Sequence, residues 1–262
     1  MSASAMHVAK TGLNAQQTRM QVVANNLANV NTTGFKRDRV NFESLLYQVL
    51  RSGGATTADG QELGSATTVG TGVKIVNTQK LFSQGSLMNT ENSLDLAIDG
   101  AGFFSALMPD GRIGYTRNGS FTTNSQGTLV TQGGYIVQPE IQIPENVTSI
   151  TVSADGIVSV MIAGEVQAQE VGQLQLTNFA NQAGLQPIGE TFLVQTASSG
   201  EAIDGNPLDG GFGKLVQGYL ESSNVNVVQQ LVDMIETQRA YEVSSKAITG
   251  TDEMMRFISN NL

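Results

Sequence analysis

The sequence predicts an α+β protein: a discontinuous coiled coil of N- and C-terminal helices carrying an inserted, mainly antiparallel β domain. Two observations carry that prediction. Met6, Leu13, Met20 and Leu27 recur every seven residues, and Val227, Met234, Tyr241, Ile248, Met255 and Leu262 repeat the pattern at the other end. Between them lie short β-prone runs punctuated by Asp-Gly and Asn-Gly pairs. A strict seven-residue repeat keeps one seam facing a partner helix when the two supercoil left-handedly.

The first helix has a narrow seam, because its second heptad positions are Ala9, Gln16, Val23 and Val30. It ends at Thr32 and Thr33, both β-branched, followed by Gly34, which can take the left-handed conformation that closes a helix. Phe42, Leu45, Leu46, Val49 and Leu50 then give a short helical pattern. Residues 52–72 are rich in Gly, Thr and Ala and read as a linker or an extended hairpin. Asp110-Gly111, Asn118-Gly119 and Asp155-Gly156 each separate β-prone runs and read as tight hairpin turns. The last helix starts at Asn226, with Gln229 placed to reach back as a variant capping box. Its second heptad positions, including Leu231, Gln238 and Ser245, are as weak as those of the first helix. Neither helix should stand alone in water. The chain is therefore divided into a terminal helical domain (1–35 and 222–262), a connecting helix and extended segment (36–72), and a β-rich domain (73–221). Leu27 leads into the β body and Val227 leads out, so the helices are expected to run antiparallel. Leu27 should face Val227 to Met234, and Leu13 should face Tyr241 to Ile248.

Composition narrows the function classes. The formal charge is -9 and the pI about 4.6, so phosphate backbones are repelled and nucleic acid is not expected as a partner. Charged residues make up only 14% of the chain, leaving polar but weakly charged surfaces that suit packing against copies of itself. A β-rich exported protein shares that composition. There is no Cys, and His7 is the only histidine, so thiolate and His/Cys metal chemistry have nothing to work with. No segment approaches the roughly 20 apolar residues of a membrane span. The start, MSASAMHVAKTGLNAQQ, lacks the basic and apolar regions of a cleavable secretory signal.

Candidate chemistry fails residue by residue. GGFGKL departs from a P-loop at Leu208 and Leu215. Asp204, Asn206 and Asp209 resemble a calcium loop, but Leu215 occupies the position of its bidentate Glu. Asp95 and Asp99 fall in an alternating strand context, and the Gly-Ala-Gly at 100–102 lacks a third glycine and a following helix. No catalytic, cofactor-binding or metal-binding residues are assigned.

The stretch ANNLANVNTTGFKR remains. At about 100° per residue, Asn25 and Asn29 lie roughly 160° from Leu27 and Asn26 sits on the flank. Asn25, Asn26 and Asn29 are the candidate subunit-contact residues, since amides both donate and accept and can pair with identical neighbours. A capped, water-facing helix end accounts for the same asparagines. ANNLANVNTTGFKR resembles the N-terminal hallmark of bacterial flagellar rod and hook proteins, and SNVNVVQQLVDMIETQRAYEVSSKAI their C-terminal signature. DLAIDGAGFFSALMPDGRIGYTRNGSF and GTLVTQGGY are similar to the family's β region. Ser244 departs from the pattern, where Asn is expected. The chain length and FESLLYQVLRSGG point to the distal rod rather than the longer hook protein. A proximal rod or hook-type axial protein, or a secreted carbohydrate-binding β protein, are the alternatives. The resemblance implies a subunit of a helical tube that carries motor torque across the periplasm to the hook. It implies export through the flagellar apparatus without a cleavable signal. It also implies other rod subunits, the hook protein and surrounding ring proteins as partners, with no cofactor.

Overall fold

A computed structural model describes residues 2–51, 65–164 and 167–260. It has two compact units, each assembled from separated stretches of chain. The first comprises Met1–Ala28, Asp38–Gln79 and Asn226–Leu262, and the second comprises Asn29–Arg37 and Lys80–Val225. Expected Leu262 and most of residues 52–72 fall outside the described residues.

In the first unit, α1 (Ser2–Ala28) and α2 (Val227–Asn260) form an antiparallel pair. Contacts fix the register: Asn26 bonds Gln230, Arg19 lies 3.8 Å from Asp233, and Gly12 abuts Ser244. The expected facing of Leu27 and Leu13 agrees with this register. The centre of the seam differs from expectation. The most buried residues are Ala15, Val23 and Asn26 on α1 and Gln230, Thr237 and Thr251 on α2, with Thr237 0% exposed. Met6, Leu13, Met20, Leu27, Met234, Tyr241, Ile248 and Met255 are half-buried beside that line, and Val227 is exposed.

The reason lies in where the hydroxyls go. Thr237 Oγ1 donates to the Asp233 carbonyl at 2.6 Å, Ser244 Oγ to Ala240 at 2.9 Å, and Thr251 Oγ1 to Ala247 at 2.7 Å. Each hydroxyl is satisfied within its own helix, so these residues bury as small side chains and let the helices approach closely. At the start of α2, Asn226 Oδ1 accepts from the Gln229 N–H at 3.1 Å. The Gln229 side chain runs forward to Asp233 instead of back, so the cap forms without the reciprocal half of the box.

The short helix expected from Phe42 to Leu50 is absent, and two strands separated at Leu45 and Leu46 take its place. β1 (Asp38–Ser44) pairs with β4 (Val73–Lys80), and β2 (Tyr47–Arg51) pairs antiparallel with β3 (Thr67–Gly70). Val40, Phe42, Tyr47 and Val49 suit a pleated surface, and the ladder overrides the helical spacing. The expected helical face meets no core: Leu46 is 89% exposed, and Tyr47, Val49 and Leu50 are exposed too. The turn before β4 sits on α1. Gly72 has φ +121°, and a Cβ there would lie 2.2 Å from Thr11 Oγ1, which accepts from the Val73 N–H at 3.3 Å.

The second unit is built on antiparallel strands. Its largest sheet runs in the order Gln186–Gly189, Phe192–Val194, Ile113–Thr116, Phe104–Leu107, Ile136–Gln138, Leu129–Thr131, Phe121–Thr123. A smaller sheet joins Val147–Val152, Ile157–Ile162 and Gln169–Gln173. Asp110-Gly111 and Asp155-Gly156 turn hairpins as expected, with φ +80° and +88° at the glycines. Asn118-Gly119 does not, because the strands on either side of it pair with other strands. Gly119 serves close approach instead, since a Cβ there would lie 1.7 Å from the Leu96 carbonyl oxygen. Successive side chains of a strand point to opposite faces. Phe103 accordingly joins a cluster with Tyr115, Phe179 and Leu193, while Phe104 joins one with Leu96, Ile98 and Phe121.

Candidate assembly surfaces

The asparagine stretch divides between the two units. In the first, Asn26 is 2% exposed. Its Oδ1 accepts from the Asp38 N–H at 2.8 Å, and its Nδ2 donates to the Asp38 carbonyl at 2.8 Å. The same Nδ2 donates to Gln230 Oε1 at 3.1 Å, and Gln230 Nε2 continues to Asp233 Oδ2 at 3.2 Å. Asn26 therefore holds both main-chain groups at the start of β1 and one side chain of α2. Its expected place among outward-facing contact residues is corrected. The buried line passes through Val23 and Asn26 rather than Met20 and Leu27, so Asn26 turns inward. Asn25 is exposed on α1. Asn29, in the second unit, is half-buried and accepts from Thr32 Oγ1 at 3.2 Å.

The rest of the stretch, TTGFKR, is built into the second unit. Gly34 has φ +69°, and a Cβ there would lie 2.5 Å from the Asn118 nitrogen, so both conformation and space require glycine. Beyond it Lys36, Arg117 and Glu221 form a buried ionic cluster. Lys36 Nζ donates to Glu221 Oε1 at 2.5 Å and to the Ser83 carbonyl at 2.8 Å. Glu221 Oε1 also accepts from the Gly85 N–H at 2.8 Å. Arg117 reaches Glu221 Oε2 at 3.4 Å and the Gly100 carbonyl at 2.9 Å, with its guanidinium 5.3 Å from the Phe103 ring. Burial pushes Lys36 below its ordinary pKa against the opposing pull of Glu221, and Arg117 is lowered for the same reason. The cluster ties together positions far apart in the chain. Sequence reasoning missed it, because a lone Lys before Arg reads as a surface cation.

Two exposed apolar surfaces lie in the first unit. On α2, Val228 (72% exposed), Leu231, Val232 and Ile235 stand at i, i+3, i+4 and i+7. That spacing defines one helix face, and it was present in the sequence but masked by the heptad repeat. The β2–β3 ribbon presents Leu46, Tyr47, Val49, Leu50 and Val69. Contiguous exposed apolar surface marks interaction sites. Chemistry of other kinds finds little support. Among the described residues no group of three or more His, Cys, Asp or Glu is placed to hold a metal, and no helix is long and apolar enough to cross a membrane.

Models of protein families match three separate stretches of the chain. Residues 6–36 match the family model described as flagella basal body rod protein, and residues 97–160 match the flagellar hook protein FlgE/F/G D1 domain. Residues 216–262 match the flagellar basal body rod FlgEFG protein C-terminal model. The flagellar basal-body rod protein FlgG of Buchnera aphidicola subsp. Schizaphis graminum is 50% identical over 252 residues, 96% of this chain and 97% of the relative. FlgG of Caulobacter vibrioides is 45% identical over 97% of this chain and 98% of its own, and FlgF of that organism is 35% identical over 94% and 93%. The chain belongs to the flagellar basal-body rod protein family. Its full-length likeness to the FlgG proteins identifies it as a structural subunit of the distal rod of the flagellar basal body.

Proposed function

We propose that the subunit polymerises into a helical tube through the face of α2 that points away from α1, and that the tube carries motor torque to the hook. The observation that carries this reading is the pairing of Val228, Leu231, Val232 and Ile235 on an exposed helix face with a seam already closed by small residues. An apolar stripe left over after the hairpin has formed is what a neighbouring copy can cover. The β2–β3 ribbon adds a second such surface, and Asn25 and Asn29 remain the proposed polar subunit contacts. Other rod subunits, the hook protein and surrounding ring proteins are its expected neighbours. The flagellar export apparatus is its expected route of delivery.

The double variant Val228→Asp/Val232→Asp tests the reading. It places two charges on the stripe and leaves the α1–α2 seam untouched. Monomer helix content by circular dichroism should be unchanged, while rods should be absent by electron microscopy and cells non-motile. Normal rods in this variant would remove α2 from the interface.

A further inference from the structure

Most of the α1–α2 seam is generic. Gly12 meets Ser244, Ala15 is buried, and Thr237, Ser244 and Thr251 spend their hydroxyls on their own helix. None of these groups recognises a particular partner side chain. Both helices also repeat every seven residues, from Met6 to Leu27 and from Met234 to Met255. A slide of one heptad, about 10.5 Å at 1.5 Å per residue, presents much the same surface again.

Among the described residues, the Arg19–Asp233 and Asn26–Gln230 contacts discriminate between these registers. Arg19–Asp233 is long, at 3.8 Å, and partly exposed, so solvent weakens it. The Asn26–Gln230 bond is buried at both ends, at 2% and 3% exposure. Asp38 holds the Asn26 amide from both sides, so that it cannot turn. Asp233 accepts from Gln230 Nε2, which aims Gln230 Oε1 at Asn26. In a shifted pairing, each amide would be buried without its complement, and an unmatched buried amide costs more than the bond itself contributes.

We propose that Asn26 and Gln230 are the register code of the hairpin: they hold α1 and α2 in this alignment over slipped registers. A single buried polar pair is known to specify register in coiled coils at some cost in stability.

The chain has no native Cys, so disulfides report pairing without background. Gly12→Cys with Ser244→Cys reports the observed register, because a Cβ on Gly12 lies 3.8 Å from Ser244 Oγ. Gly12→Cys with Thr251→Cys reports a slip of one heptad. Each pair is combined with Gln230→Met, which removes the complement but leaves the Asn26 bonds to Asp38, and separately with Asn26→Leu. In the parent, the 12/244 disulfide should form within the chain and 12/251 should not form. In both variants the 12/251 disulfide should rise about tenfold relative to native crosslinking, which corresponds to about 1.4 kcal/mol of lost discrimination. Exclusive intrachain 12/244 crosslinking in both variants would overturn the proposal. So would loss of helix content by circular dichroism without mispairing, since the amides would then only stabilise the pair.

Discussion

Replacing Glu221 by Gln is the most informative perturbation of the second unit. The side chain keeps its size, and its Oε1 can still accept from Lys36 and the Gly85 N–H. Its Nε2 would face the Arg117 guanidinium, donor against donor, and two buried cations would share no counter-charge. Breaking a buried ion pair from one side costs about 3–5 kcal/mol, because the partner remains charged in a low-dielectric site. At about 2–4 °C per kcal/mol for a unit of this size, melting should fall by roughly 6–20 °C. Lys36→Met should cost less, since it leaves one cation facing one anion and removes the excess positive charge. Thermal and urea unfolding of the three proteins would measure both quantities. A Glu221→Gln protein within about 1 kcal/mol of the parent would refute this account of the cluster, as would a greater loss from Lys36→Met.

Lys36 also makes a pH prediction. Its folded pKa lies below the ordinary 10.5, so between those two values the unfolded chain binds more protons and stability rises with pH. The stability of the parent relative to Lys36→Met should therefore grow as pH climbs through that window, and urea titrations at several alkaline pH values will show whether it does. Gly34→Ala should destabilise the second unit by about 1–3 kcal/mol from left-handed strain alone, with more from the approach to Asn118; a neutral effect on the melting curve would mean the turn relaxes freely. Thr237→Val should change stability by less than about 1 kcal/mol, because the hydroxyl serves only its own helix. A larger loss in chemical denaturation would show that the seam depends on polarity rather than on small size.

Much of the molecule was legible in order along the chain. Seven-residue periodicity at both ends located the two helices, and antiparallel pairing followed from which ends lead into the β body. Asp110-Gly111 and Asp155-Gly156 are turns because glycine at positive φ ends a four-residue turn, its N–H bonding the Met108 or Ser153 carbonyl, a local property that sequence carries directly. Apolar spacing alone was a poorer guide to which line on a helix faces its partner. Thr237 and Thr251 look polar, yet i−4 carbonyls absorb their hydroxyls and make them the better residues for close approach. The same limit turned the helix expected from Phe42 to Leu50 into strands: strand or helix was decided by the partner across the ladder, and for Tyr47 that partner is Gly70. Asn26 and Gln230 are 204 positions apart, and Lys36 and Glu221 are 185 apart. Nothing local distinguishes such residues from solvated ones. Their roles exist only once the chain closes on itself and removes both members of each pair from water, because the value of a hydrogen bond or an ion pair is set by what surrounds it.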